Sequence, residues 1–378
     1  MALALPAIIS NITTPLLGLI DVAIVGHFGA ASYLGAIAVG TTMFNMIYWL
    51  FAFLRMGTAG IAAQAHGADN LAEASATLRR GLLMAATFGS LMIALAIPLC
   101  SLALRLLHVE SEVAPQAQTY FYIAIAGAPA VLGTYVLNGW LLGRQNTRIP
   151  MWIALMTNLA NTALSLFMVF CLGMRIEGVA LGTAISQWLG FSACLIATIR
   201  KYRPQKVTFA ILLHRHALAR LFKINSHIFL RTLCLVAVTM WFTRRGNEFG
   251  VTILAANALL MQLFMFFSYF SDGFAFAAEA LAGKAVGAND LTSLHTVVKP
   301  HSDAASKSQS HSPLHTSSPD HLSSHSSPMC LKSSPPLAHS SHGPWRFHSA
   351  AYLHSSTTAY TLGSPTPAPC FSASSSQC

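Results

Sequence analysis

The sequence predicts an all-α integral membrane bundle, six spanning helices followed by two more and a disordered tail, and three observations carry that prediction. Only 9% of the 378 residues are charged and 54% are apolar, whereas about a quarter of a soluble domain is charged; the mean hydropathy is +0.55. Eight apolar stretches each reach the roughly 20 residues needed to cross hydrocarbon at about 1.5 Å per residue. Finally, residues 64–70 read Gln-Ala-His-Gly-Ala-Asp-Asn and residues 284–290 read Lys-Ala-Val-Gly-Ala-Asn-Asp, placing Gly67 and Gly287 220 positions apart (287 − 67). Each copy closes a long apolar run and opens a short polar stretch ending in base, Arg79–Arg80 in one and Lys299 in the other. Such a repeat in a membrane chain predicts two related halves with a site where they meet.

The predicted spans, in order, are Leu3–Gly26, Leu34–Gln64, Gly81–Leu107, Tyr120–Leu142, Met151–Met174, Val179–Ile199, Ile224–Phe242 and Val251–Val286. The first has no basic n-region, is too long for a signal peptide and contains Asp21, so it reads as a retained span. The second and eighth are long enough to tilt or to extend beyond the bilayer. Residues 1–200 form the amino-terminal six-helix unit and 224–298 the first two helices of a second. Between them, 201–223 is a basic linker in which Phe209–Phe222 alternates apolar and basic residues at helical spacing, the pattern of an interfacial helix. From 299 to 378 the chain turns to Ser, Pro and His without periodicity, which cannot bury enough apolar area to fold. A second half should need about 220 residues by the repeat spacing, yet the apolar pattern stops near Val298. A shifted reading frame accounts for such a tail, Ser364–Cys370 being readable in another frame as Ile-Thr-Asp-Thr-Arg-Ala-Met; a genuine disordered tail is the rival reading.

Orientation follows from Lys and Arg in alternate loops. With the N-terminus cytoplasmic, the inner loops hold Arg79, Arg80, Arg144, Arg148, Arg200, Lys201, Arg203, Lys206, Arg215, Arg220 and Lys223, and the outer loops only Arg105, Arg175, Arg244 and Arg245. The net charge of +10 is thus spread between spans rather than gathered into a nucleic-acid-binding face. The seven cysteines form no Cys-x-x-Cys pair, so neither a disulfide framework nor a zinc site is indicated. His311/His315 and His321/His325 have the i, i+4 spacing of a helical metal pair, but Pro313 interrupts the first and serine-rich sequence surrounds both. The spans contain no metal motif, Ser/His arrangement or paired catalytic carboxylates, so an enzyme is not expected.

Asp21 is the leading candidate for chemistry. A carboxylate at mid-membrane costs roughly 2.5–3.5 kcal/mol on insertion scales and therefore usually faces a cavity; the competing reading is an interfacial Asp. Pro6, fifteen residues earlier, removes a helical hydrogen bond and can kink the same helix. Asn158, Asn161 and Ser165 share a face of the fifth span, and Thr183 and Ser186 one of the sixth. Their oxygens suit either a cation or ordinary interhelical hydrogen bonds. Arg55, Arg231, Asp272 and Glu279 are the remaining charges in or near spans. Asp272 and Glu279 share a face at i, i+7, and Arg231 can pair with one of them, as a structural ion pair or as a substrate-polarity site. The aromatic run Phe264–Phe276 is expected to pack against lipid or core.

Several segments in order resemble the multidrug and toxic compound extrusion (MATE) family, in its DinF-like branch: Leu5–Thr14, Pro15–His27, Leu54–Thr58, Gly139–Gly143, Glu177–Thr183 and Asp272–Glu279. The resemblance runs from about Ala2 to Val298. It implies a MATE-like bundle with a complete six-helix N-lobe and only two helices of the C-lobe, twelve helices in two lobes being the family pattern. It implies a multi-pass transporter of the bacterial inner membrane, exporting amphipathic cations in exchange for H+ or Na+, monomeric, surrounded by lipid, with no cofactor beyond the coupling ion. By position, Pro6 and Asp21 match the first-helix proline and the coupling-ion carboxylate, a Na+ site included. Asn161 and Thr183 match the fifth- and sixth-helix polar site, Asn138 a fourth-helix residue more loosely, and Ser165 stands where many relatives carry a second aspartate. A non-functional fragment and a lipid-linked oligosaccharide flippase of the same superfamily are the alternatives, the flippase disfavoured because only Arg55 and Arg231 are available as cavity arginines.

Overall fold

A computed structural model describes residues 3–11, 31–107, 109, 111, 113–205, 226–234, 236, 238, 268 and 271–294. All regular structure among them is helical: α1 (4–11), α2 (Ala31–Leu50), α3 (Phe53–Gly67), α4 (Leu71–Ala94), α5 (Ala96–Leu106), α6 (Ala114–Ala124), α7 (Ala128–Gly143), α8 (Arg148–Leu166), α9 (Ile176–Tyr202), α10 (226–234) and α11 (271–287). Within the described residues four helical segments are long and apolar enough to cross a membrane, or five if the bent α4–α5 pair is one span. Asp21, most of the linker (206–223) and the tail from 295 lie outside the described residues.

The breaks in the helices have local causes. Pro98 cannot donate to the Ala94 carbonyl, and α4 and α5 meet at Leu95 with a 73° bend, so the third predicted span is two rods and begins ten residues earlier than expected. Pro129 likewise cannot donate to the Ile125 carbonyl; the Ala128 N–H takes it instead, which tightens residues Ile125–Gly127 into a 3-10 turn between α6 and α7. The Trp188 indole donates to the neighbouring Ala126 carbonyl at 3.0 Å. Past α8, the Leu172 N–H reaches back five residues to Phe167, making a π turn at Phe167–Cys171. The second predicted span is interrupted at Phe51–Ala52, between α2 and α3.

The main core joins α2 to α9, with Phe121, Leu132, Leu137 and Leu141 fully buried. Phe44 stacks on Phe121 with ring centroids 4.9 Å apart, and the Trp140 indole donates to the Ala74 carbonyl at 2.7 Å. Helix α8 shows which solvent the fold expects. It buries Asn161 and Ser165 while exposing Trp152 (56%), Met156 (59%) and Leu159 (66%). Polar inward and apolar outward is the arrangement hydrocarbon favours.

The repeat is folded as one motif used twice. After Gly67, the Ala68 and Asn70 N–H groups bond to Gln64 and Ala65 at 3.0 and 2.9 Å; after Gly287, those of Ala288 and Asp290 bond to Lys284 and Ala285 at 3.0 and 2.9 Å. Asp69 and Asn289 take the left-handed conformation (φ 49° and 54°), which Asp and Asn tolerate better than most residues. Asn70 accepts from the Glu73 N–H at 2.9 Å and Asp290 from the Ser293 N–H at 3.0 Å, so each copy caps the next helix.

Candidate functional site

The two copies pack against each other reciprocally. A Cβ on Gly67 would overlap the Lys284 carbonyl oxygen, and a Cβ on Gly287 would overlap that of Gln64. Four residues earlier on α11, a Cβ at Gly283 would stand 2.7 Å from that of Ala63. Helices α3 and α11 therefore cross at near backbone contact, which only small residues permit. The seam extends through an apolar cluster of Ala7, Ala59, Leu142, Phe276 and Ala280, drawn from α1, α3, α7 and α11. Helix α10 packs on the main core, with Ile228 in it and Phe229 edge-on to Phe53 of α3 at 6.3 Å.

Four charged side chains converge along this seam. The Arg55 guanidinium from α3 lies 3.7 Å above the centroid of the Phe276 ring on α11. Both Arg55 and Arg231 interact electrostatically with Asp272 and Glu279. Arg231 on α10 also donates to the Met56 sulfur of α3 at 3.7 Å. Glu279 is only 3% exposed, and its Oε1 has no hydrogen-bond partner among the described residues. Thus the i, i+7 carboxylates and Arg231 do come together as expected. Phe276 packs in the apolar cluster, in keeping with the core packing expected of it; what sequence reasoning missed is the aromatic face that it also supplies to Arg55. It also did not join Arg55 to the set, because the pairing is made across the repeat.

Adjacent to Arg55, α7 approaches so closely that a Cβ on Gly139 would overlap the Arg55 carbonyl oxygen. This sets Asn138 beside the seam, half-buried, with an Oδ1 that has no hydrogen-bond partner among the described residues. The buried Tyr48 hydroxyl is in the same condition.

A second, uncharged polar cluster lies between α8 and α9. The Asn161 amide donates to the Thr183 hydroxyl at 3.3 Å, and Ser165 donates to the Asn161 carbonyl oxygen at 3.3 Å. Thr183 donates to the Val179 carbonyl at 2.9 Å, and Ser186 to the Thr183 carbonyl at 2.8 Å. Gly182 admits this approach, since a Cβ there would sit 2.7 Å from the Ser165 hydroxyl. The structure thus brings Asn161, Ser165 and Thr183 together. Asn158, one turn earlier and half-buried, accepts the Thr162 hydroxyl on its backbone carbonyl at 3.1 Å, a bond within α8. Pro6 is half-buried in α1, beside Ala7 of the seam cluster. No group of three or more His, Cys, Asp or Glu able to hold a metal is found among the described residues.

Outside the spans, Asp290 accepts from the side chain and backbone of Ser293, which holds its carboxyl below the usual carboxylate range.

The MatE family model matches residues 6–191. DNA damage-inducible protein F of Escherichia coli (strain K12) is 40% identical over 294 residues, 77% of this chain and 64% of that protein. Protein DETOXIFICATION 44, chloroplastic, of Arabidopsis thaliana is 25% identical over 295 residues, 74% of this chain and 55% of that one. The chain thus spans less than two thirds of the length of either relative. A solved structure of a MOP superfamily transporter from Pyrococcus furiosus superposes with a TM-score of 0.70 at 20% identity, covering 82% of this chain and 69% of that chain; this likeness concerns the fold.

Proposed function

The chain belongs to the MatE family, and we propose that it acts as a secondary active transporter, exporting amphipathic organic cations by antiport with H+ or Na+. The observation that carries this reading is the seam: two repeat-related helices in backbone contact, with two arginines and two carboxylates held between them. Charge kept at the junction of two halves is expensive in a membrane and is characteristic of a substrate or ion path. The relatives support it, since several are named as multidrug resistance proteins.

In this proposal Asp21 binds the coupling ion, with Asn161, Thr183, Asn158, Ser165 and Asn138 lining the same amino-terminal pocket and Pro6 allowing the first helix to bend. Protonation of Asp21 removes a charge whose desolvation opposes helix repacking, so the pocket can close and release substrate outward. Ser165 in place of a second acidic group leaves one carboxylate there, which favours coupling to a single proton. An inward charge at 100 mV contributes about 2.3 kcal/mol beyond the pH gradient. Lobes at 1–200 and 224–298, joined by 201–223, would be the moving bodies, in a bacterial inner membrane with the N-terminus inside.

The test is ethidium efflux from energised cells expressing the full chain. Wild-type chain should export, and Asp21→Asn should abolish export without loss of protein. Undiminished efflux in the variant removes Asp21 from the mechanism; no efflux from the wild type removes the transport reading of this chain.

A further inference from the structure

We propose that Arg55 is a built-in competitor for an organic-cation site formed by Phe276, Asp272 and Glu279, and that a cationic substrate binds by displacing it. This rests on the export reading above and identifies the group that substrate must replace. An organic cation seeks an aromatic face and an anion behind it. Helix α11 offers both on one face: Phe276 lies between Asp272 (i−4) and Glu279 (i+3), and Glu279 is buried with an oxygen that has no hydrogen-bond partner among the described residues. The group occupying that face is a guanidinium 3.7 Å above the ring. It comes from a different helix, α3, which belongs to the other repeat.

Guanidinium is planar, delocalised and weakly hydrated, so a site fitted to it favours flat aromatic cations over compact ammonium ions. The charge balance supports exchange. Arg55 and Arg231 offset Asp272 and Glu279, two against two. A monovalent cation that takes the ring position while Arg55 withdraws leaves the count at the ring unchanged, so no uncompensated charge is buried. Withdrawal need not move α3, because Gly139 of α7 locks the Arg55 backbone while the long side chain retains rotamer freedom. Tyr135 also interacts electrostatically with Arg55.

The arrangement ties occupancy to the seam. With Arg55 seated, α3 and α11 are joined by a cation–π contact; with substrate seated, that contact is gone and the helices are held by the glycine crossing and the apolar cluster beside it.

The experiment is equilibrium dialysis of ethidium, a flat delocalised cation, against the purified full chain, paired with ethidium efflux from cells. Arg55→Ala should bind ethidium about tenfold more tightly than wild type, since a desolvated cation–π contact no longer competes. Arg55→Met, which keeps the stem packing without charge, should do the same and covers the case in which Arg55→Ala does not fold. Arg55→Lys should fall between them and wild type, and Phe276→Leu and Glu279→Gln should bind more weakly than wild type. If wild type exports ethidium but neither Arg55→Ala nor Arg55→Met binds it more tightly, the competitor role is refuted and the export reading stands. If wild type and all variants neither bind nor export, both are refuted together.

Discussion

Replacing Gly67 by alanine tests the reciprocal crossing directly. The added Cβ would overlap the Lys284 carbonyl oxygen and lie 2.9 Å from both the Lys284 carbonyl carbon and the Ala288 nitrogen, all backbone atoms that no rotamer change can move aside. Nine in ten real Cβ contacts are longer than 3.4 Å, so α11 must retreat by at least 0.5 Å (3.4 − 2.9) at these atoms and further at the oxygen. Forcing a methyl into a packed contact costs about 1–3 kcal/mol. Taking about 2 kcal/mol, the melting midpoint should fall by roughly 4–8 °C on the scaling for domains of 150–250 residues. Thermal unfolding of the purified chain in detergent gives the comparison, with Gly35→Ala as control because its nearest neighbour, a Val113 methyl, stands at an ordinary 3.4 Å. Gly287→Ala should match Gly67→Ala, and the double variant should fall short of the sum, since the second methyl enters a seam already parted. If Gly67→Ala melts with Gly35→Ala, the close crossing does not exist in solution.

Further outcomes follow from other contacts. Gly182→Ala places a methyl 2.7 Å from the Ser165 hydroxyl and 3.0 Å from its backbone nitrogen; it should part α8 from α9 at the Asn161–Thr183 bond and reduce ethidium efflux at least tenfold, whereas Gly173→Ala, with nothing within 4 Å, should affect stability alone through its positive φ. Trp140→Phe removes the 2.7 Å indole bond to the buried Ala74 carbonyl and should cost about 1–3 kcal/mol in the same melting assay. Asp290 has a lowered carboxyl pKa because Ser293 hydrogen-bonds its charged form. Its contribution is therefore present above the usual carboxylate pKa and lost as pH falls through its own lower value, so the Ser293 amide should lose its protection from deuterium exchange only below the usual carboxylate range, and should lack it at every pH in Asp290→Ala.

Much of this architecture was readable before any coordinates. The repeat at Gly67 and Gly287 predicted two related halves, because a glycine followed by Asp or Asn at the same offset specifies the same helix end twice; that the two copies pack on each other was not foreseen. The shared face of Asn161 and Ser165, and that of Asp272 and Glu279, followed from helical periodicity alone. What escaped was most of what is decided across helices. Arg55 and Phe276 are 221 residues apart (276 − 55), and neither residue's neighbours announce the other. The bend at Leu95 and the 3-10 turn at Ile125–Gly127 had visible causes in Pro98 and Pro129. Hydropathy counts apolar residues without regard to whether the backbone beneath them is continuous, and so it reads the third span as one rod.

The contrast between the two polar clusters bears on how the proposed cycle divides its work. The α8–α9 cluster is made of amides and hydroxyls that satisfy one another within one half of the repeat. Neutral hydrogen bonds of this kind contribute about 0.6 kcal/mol each in a membrane, so they can rearrange around an arriving ion at small cost. The seam cluster is charged, and its members come from both repeats. Separating Arg55 from Asp272 and Glu279 without a replacement would leave unpaired charge in a low-dielectric setting, at a cost of several kcal/mol. Opening the seam is therefore suppressed when it is empty and permitted when a cation enters, which is the condition an antiporter needs to avoid leaking its coupling ion. Arg55→Met leaves one carboxylate without its arginine whether the seam is closed or open, so opening no longer costs that separation; it should consequently carry an ethidium-independent proton leak in vesicles loaded with a pH-sensitive dye, and a variant as tight as wild type would disconnect the seam charge from the gate.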